Sequence, residues 1–167
     1  MVDKSVLDDL AHEVRIYDSK VKTGSDALDT ILTEKSLVCE REGIRLTCVA
    51  DGAALSFVSP ADLYALFGNL LDNAIEAVRQ LPDVGKRTIS LVVRRTGEIV
   101  IVHEENYFAG EVDFVDGLPR TSKDDRSNHG FGTRSMRQIV ERYGGALTMK
   151  ARAGTFAVNM MIPVPMG

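Results

Sequence analysis

Residues 68–77 restrict the fold of this chain more than any other stretch, because they place two carboxamides four residues apart within the pattern of an amphipathic helix. Asn69 and Asn73 stand four residues apart, which places both on one side of an α-helix. At about 100° per residue they fall within about 40° of the other polar positions of the segment, Asp62, Glu76 and Gln80. Asparagine lowers helix propensity by up to roughly 0.7 kcal/mol relative to alanine. The pattern alone fits either an ordinary solvated helix face or a binding surface.

Length and composition indicate one α/β domain. The chain has 167 residues, of which 44% are apolar and 26% are charged, as in ordinary globular proteins. A net charge of −4 without a basic run argues against a groove for nucleic acid or a surface for anionic lipid. The apolar runs are too short to span a bilayer.

The sulfur and imidazole groups do not predict a metal site. Cys39 and Cys48 lie nine positions apart, a spacing that fits neither a zinc knuckle nor a redox motif. We expect both to be reduced and buried. The three histidines, His12, His103 and His129, are far apart in sequence, which argues against zinc.

Periodicity and punctuation predict an alternation of helices and strands. The predicted helices are 5–20, a helix capped by Ser25 or Asp26 that runs to about Glu42, a helix from Ser59-Pro60 to about Leu81, and one that opens at 130–133 and stops at Gly144-Gly145. The predicted strands are 44–49, a hairpin of 87–95 and 98–104 turning at Thr96-Gly97, and 146–151 with 155–162 around Gly154. Residues 106–129 carry no pattern, and so long a loop is typical of a lid, a binding loop or a disordered segment.

Two of these segments carry chemistry. The carboxamide oxygen of Asn73 is a hard neutral ligand suited to Mg²⁺, which also takes water and phosphate oxygens. Gly130 and Gly132 permit close approach of the backbone to an anion, and the helix behind them presents free N–H groups to phosphate. The Gly-x-Gly spacing alone equally fits a simple turn before a helix.

Taken in order, these blocks resemble the ATP-binding domain of the GHKL superfamily, and within it the sensor histidine kinases. The segment 69–74 resembles their N box, 129–132 their second glycine box, and 139–145 the helix end that follows. Further segments resemble the branch of bacterial peptide-pheromone receptor kinases: Tyr17-Asp18, Thr23-Gly24, 28–35, Asp62-Leu63, 74–77 and 121–123. The resemblance covers nearly the whole chain.

The resemblance implies a Bergerat-type α/β (α+β) two-layer sandwich, with helices over one face of a mixed sheet and ATP between the N-box helix and the 106–129 lid. It implies that Asn73 holds Mg²⁺ and that Asn69 lines the same site, with both taking part in catalysis. The implied nucleotide-binding residues are Asn69, Asn73, Glu76, Asn106, Ser122, Lys123, His129, Gly130, Phe131, Gly132 and Thr133. Lys123 pairs with the terminal phosphates in this interpretation, although an ordinary surface lysine is the alternative.

At two places this chain differs from other members of the superfamily, and both differences bear on the chemistry that the resemblance implies. Its ATP hydrolases place a glutamate base at the position of Asn69, and asparagine cannot accept a proton at neutral pH. The resemblance therefore favours phosphoryl transfer to a delivered nucleophile over hydrolysis. Most histidine kinases carry Asp-x-Gly-x-Gly where this chain has 105–110, so Asn106 would accept from the adenine amine and donate to a neighbouring ring nitrogen.

The resulting expectation is the ATP-binding catalytic domain, 23–167, of a membrane-bound receptor kinase, preceded by the end of a dimerisation hairpin in 1–22. This piece is expected to be soluble and cytoplasmic, with an acceptor histidine upstream, a response regulator as partner and a homodimer in the full receptor. His12 is predicted to lie on the second hairpin helix, since only 57 positions separate it from Asn69. The alternatives are a nucleotide-binding module without catalysis, or a serine kinase of the anti-sigma-factor type, which the helix at 5–20 disfavours.

Overall fold

The computed structural model describes residues 22–120 and 129–166, which form a mixed five-stranded sheet with three α-helices. The helices are α1 (Asp26–Arg41), α2 (Pro60–Arg79) and α3 (His129–Arg142). The main strands are β1 (Arg45–Ala50), β2 (Thr88–Thr96), β3 (Ile99–Tyr107), β6 (Ala146–Arg152) and β7 (Thr155–Pro163), and the small strands β4 (Phe114–Val115) and β5 (Leu118–Pro119) pair separately. The predicted helix at 5–20, with His12, lies outside the described residues.

The strands of the sheet follow the order β1-β2-β3-β7-β6, with β1 parallel to β2 and every other pair antiparallel. Alternate residues of each strand point to opposite faces of the sheet. The buried row of β3 contains Val100, Val102, Glu104 and Asn106, and its neighbours in β2 and β7 are apolar at most of the facing positions. The helices cover this face and enclose one hydrophobic core. The predicted two-layer α/β architecture is therefore confirmed.

The helices begin and end where the sequence predicts. Ser25 caps α1 by accepting from the Leu28 N–H, and Ser59 caps α2 by accepting from the Asp62 N–H, with Pro60 at the first helical position. Gly144 follows α3 with a φ of 77°, the left-handed conformation that ends helices. Local capping chemistry thus accounts for the placement of these boundaries.

Two strand boundaries and the content of one loop differ from the prediction. The β2–β3 turn is formed by Gly97 and Glu98, one residue later than expected. Strand β3 continues to Tyr107, so Asn106 lies in the sheet and not in the loop. The supposedly patternless loop contains the β4–β5 hairpin, whose turn residues Asp116 and Gly117 have φ values of 53° and 77°. An Asp-Gly pair between apolar residues is a strong hairpin signal.

Candidate nucleotide-binding site

A cavity of about 220 Å³ lies between α2, α3 and the sheet. Its polar lining residues are Asn73, Gln80, Glu104, Asn106 and Thr133. Its apolar lining residues come from both helices and from the sheet, and they include Leu70 and Ala74 of α2, Met136 of α3 and Val158 of β7. A mostly apolar cavity with a few convergent polar groups is the usual form of a small-molecule site.

Asn73 reaches this cavity because it lies beside the buried apolar side of α2. Leu70 and Ala74 are almost fully buried, whereas Asp72, on another side, pairs with Lys35 of α1 at 2.7 Å between Nζ and Oδ1. The apolar surface and this ion pair hold α2 between α1 and the sheet. They fix which side of the helix presents Asn73 to the cavity.

Asn69 stands one turn earlier on α2, against the beginning of α3. A Cβ atom built on Gly132 would lie 3.3 Å from Asn69 Oδ1, so glycine permits a close approach of the two helices at this point. Gly130 and Gly132 both fall within the first four residues of α3, which begins at His129. The first N–H groups of a helix have no intrahelical partner, so this end suits an anion.

Asn106 occupies the sheet side of the cavity and is 4% exposed. Its Nδ2 donates to the Tyr107 carbonyl at 2.8 Å, which orients the amide within the strand. The Oδ1 atom of Asn106 is the atom of this side chain that can accept a hydrogen bond from a ligand. An acceptor buried beside an apolar wall suits the exocyclic amine of a base.

Glu104, which sequence reasoning missed, lies two residues before Asn106 on the same face of β3. It is 1% exposed and lines the cavity, and burial together with the nearby Glu105 raises its pKa well above the ordinary value of 4.5. The signal was present in the sequence, because Val100, Val102, Glu104 and Asn106 continue one alternation. Continued through residue 104, that alternation predicts a carboxyl group on the buried face of the strand.

An aromatic cluster on β7 and the loop lies beside the cavity. The Phe156 ring stacks on Phe114 at 6.4 Å between centroids and meets Phe108 edge-on at 6.3 Å. Phe108 and Phe156 both line the cavity. The cluster attaches the β4–β5 hairpin to the sheet next to the site.

The other predicted site residues divide into three groups. Thr133, which is predicted to bind nucleotide, is buried and lines the cavity. Asn69, Glu76 and Gly132 are not among the lining residues, and the charge of Glu76 instead acts on Arg79 of the same helix. Ser122 and Lys123 lie outside the described residues, and His129, Gly130 and Phe131 are placed only as the first residues of α3. The cavity thus brings together Asn73, Asn106 and Thr133 from three separate elements.

The two thiols take no part in the site. Cys39 and Cys48 are free and buried, as expected, and burial raises the pKa of each to about 12. Both thiols are therefore neutral and unreactive at physiological pH.

Comparison with known proteins identifies the class to which this arrangement belongs. The family described as a GHKL domain matches residues 58–163, more than half of the chain, so the chain belongs to that family. No curated protein sequence matched. Within the described residues, no helix combines the length and the apolar character needed to cross a membrane.

Solved structures with a similar fold include a histidine kinase and the catalytic domain of another. The histidine kinase AdeS of Acinetobacter baumannii superposes with a TM-score of 0.58 at 10% identity, covering 97% of this chain and 78% of its own. The catalytic domain of the histidine kinase ThkA superposes with a TM-score of 0.60 at 16% identity, covering 85% of this chain and 93% of its own. At these identities the likeness shows a shared fold. The chain is therefore a GHKL domain with the fold of histidine kinase catalytic domains.

Proposed function

We propose that this chain is the ATP-binding catalytic domain of a two-component sensor histidine kinase, formed by residues 23–167, and that it transfers the ATP γ-phosphate to a histidine. The acceptor would lie on a dimerisation hairpin that precedes the domain in a membrane receptor. The observation that carries the proposal is the convergence of Asn73, Asn106 and Thr133 on one cavity beside the glycine-opened end of α3.

The donor set fits magnesium and a nucleotide. Asn73 offers a neutral oxygen, which suits an ion that takes one or two protein ligands and fills its shell with phosphate and water. Bound Mg²⁺ supplies neutralisation of the phosphate charge. Asn106 accepts from the base at the other end of the cavity, and the α3 N–H groups hold phosphate oxygens. Lys123 and Ser122 complete the phosphate side in this proposal.

Asn69 favours transfer over hydrolysis. An asparagine near the phosphates positions groups by hydrogen bonding but does not remove a proton from water at neutral pH. A phosphoryl group then passes most readily to a nucleophile delivered in line by another domain, because positioning and charge neutralisation suffice for this chemistry. A histidine of the hairpin is such a nucleophile, and a response regulator is the next acceptor.

Nucleotide titration of Asn73→Ala tests the assigned site. We expect a loss of affinity for ATP in the presence of Mg²⁺ of at least about tenfold, since a metal ligand and a hydrogen bond are lost together. Asn159→Ala is the matched control, because Asn159 lies on β7 and contacts His103, 2.6 Å from the ring Nδ1, instead of the cavity. Equal affinities for the wild type and Asn73→Ala would contradict the site.

Addition of a separate hairpin protein with labelled ATP tests the activity. The proposed kinase forms acid-labile phosphohistidine on the hairpin, and Asn73→Ala does not. Binding of ATP without any transfer to an intact, folded hairpin would favour the alternative of a nucleotide-binding signalling module without catalysis.

A further inference from the structure

The cavity contains a buried carboxyl group that the proposed function leaves without a role. Glu104 is 1% exposed, and its Oε1 has no hydrogen-bond partner among the residues that the structure describes. Such a group destabilises a folded protein, because its hydrogen bonds to water are lost and not replaced. A buried group without a partner calls for an explanation, and a ligand that supplies the missing hydrogen bond is one.

The surroundings of Glu104 favour the protonated form of its carboxyl. Leu91 of β2 and Val158 of β7 flank it in the sheet, while Leu70 and Ala74 of α2, Met136 of α3 and Met149 of β6 line the same cavity. Glu104 is the only ionisable side chain in the described lining, and the nearby charge that acts on it is that of Glu105, which further raises its pKa. A protonated carboxyl offers one O–H donor as well as acceptor oxygens.

Asn106, which lines the same cavity, indicates which group of a ligand the O–H donor of Glu104 would contact. The family resemblance predicts that Asn106 accepts from the adenine amine and donates to the adjacent ring nitrogen, and in the structure one of its two Nδ2 hydrogens is donated to the Tyr107 carbonyl. Oδ1 still serves the amine. That bond uses one of the two N–H groups and holds the amide in the strand, so a second donor at the cavity would let the site contact the ring nitrogen beside the amine as well. Glu104 lies two residues away on the same strand face.

We propose that Glu104 is a base-recognising residue, whose protonated carboxyl donates a hydrogen bond to the ring nitrogen next to the adenine amine. This inference rests on the proposed nucleotide site and adds a residue that recognises the base. It also makes nucleotide affinity depend on pH: binding is strongest while Glu104 is protonated in the free protein and weakens as the pH rises through its raised pKa.

Glu104→Leu separates a role in binding from a role in stability. We expect ATP affinity to fall about tenfold, as for the loss of one buried hydrogen bond. We expect Tm to rise by about 3 °C, because an unsatisfied carboxyl is replaced by an apolar group. A structural role predicts the opposite for Tm. Glu98→Leu, in the exposed β2–β3 turn and outside the cavity lining, is the matched control and leaves affinity unchanged.

Glu104→Gln keeps a neutral donor at the same place. The ratio of wild-type to variant ATP affinity is measured at a series of pH values, so that the titration of ATP itself cancels. We expect the wild type to lose affinity relative to Glu104→Gln as the pH rises, and a constant ratio would overturn the inference. This comparison decides the matter even if Glu104→Leu fails to fold.

Nucleotide analogues identify the partner atom. In 1-deaza-ATP and 7-deaza-ATP a C–H replaces one of the two ring nitrogens nearest the amine, N1 on the six-membered ring and N7 on the five-membered ring. One of these analogues should bind the wild type about tenfold more weakly than ATP does and should show no such loss with Glu104→Leu. Analogues that lose the same affinity with both proteins would overturn the inference. If the wild type binds ATP through Asn73 but Glu104→Leu binds equally well, only this inference fails, whereas a wild type that binds no ATP overturns the proposed function as well.

Discussion

At the residue scale, two glycines show how differently the same substitution acts in this molecule. Gly145 lies between α3 and β6, and a Cβ atom there would stand 2.3 Å from the Met161 carbonyl oxygen and 3.1 Å from the Ile162 Cα. Both atoms belong to the backbone of β7, which cannot move without breaking its pairing with β3. Gly68 lies inside α2, where the nearest atom to a new Cβ is Ile31 Cδ1 at 3.7 Å, an ordinary contact.

Gly145→Ala is expected to destabilise the protein by about 1–3 kcal/mol, since overpacking forces the backbone to shift. Gly68→Ala is its control and is expected to stabilise by about 0.4–1 kcal/mol, because alanine loses less backbone entropy in a helix. Urea denaturation of both variants measures the difference. A Gly145→Ala variant as stable as the wild type would contradict the close approach described here.

At the scale of elements, a polar cluster joins the beginning of α2 to the end of α3. The Tyr143 hydroxyl donates to Asp62 Oδ2 and accepts from the Ser59 N–H at 3.1 Å, while Arg142 donates to Asp62 Oδ1 at 2.9 Å. The hydrogen bond from Tyr143 is the largest of the effects that lower the pKa of Asp62 below its ordinary value of 3.8. These contacts hold together the two helices that form the cavity.

Removal of the Tyr143 hydroxyl should therefore change the titration of Asp62. In Tyr143→Phe we expect the pKa of Asp62 to rise toward 3.8 and stability at neutral pH to fall by about 1 kcal/mol. A lowered carboxyl pKa contributes stability above the unfolded-state value and loses it as the pH falls through the folded-state value, so the deficit shrinks in acid.

NMR titration of the Asp62 carboxyl carbon measures the first effect, and denaturation at several pH values measures the second. Tyr64→Phe is the control, because Tyr64 is exposed and its hydroxyl makes no contact with Asp62 in the structure. An Asp62 titration identical in the wild type and Tyr143→Phe would show that the cluster does not form.

At the scale of the whole molecule, the cavity is assembled from elements that are distant in sequence, so a ligand bound there stabilises all of them together. Asn73, Asn106 and Thr133 come from α2, β3 and α3, and Phe156 comes from β7. A ligand that binds only the folded state adds its binding free energy to that of folding.

Mg-ATP at about 100 times its Kd is expected to stabilise the domain by about 2.7 kcal/mol, which corresponds to a rise in Tm of about 5 to 10 °C. Removal of the metal with EDTA at constant ATP is expected to reduce this rise, because Asn73 then lacks its partner. Thermal unfolding with and without EDTA measures both. An equal rise under the two conditions would contradict a metal role for Asn73.

The small β4–β5 hairpin follows from a turn pattern that is present in the sequence itself. Val115-Asp116-Gly117-Leu118 has the turn chemistry of a two-residue hairpin, and its φ values are positive at both central residues. The same is true of Glu104, whose place in the β3 alternation predicted an inward side chain. Neither feature required knowledge of distant contacts.

The sequence by itself determined the helix boundaries, the glycine stops, the buried thiols and the stripe that carries Asn69 and Asn73, because caps, turns and periodicity depend on residues close together in the chain. It did not determine that Asn106 lies within a strand or that Phe156 faces the same cavity. Those outcomes depend on strand pairing between segments far apart in sequence, in which the register with β2 and β7 decides how far β3 extends and which side chains meet. Only the tertiary structure therefore brought Glu104 and Asn106 into one cavity with Asn73, because long-range register and helix packing have no local signature.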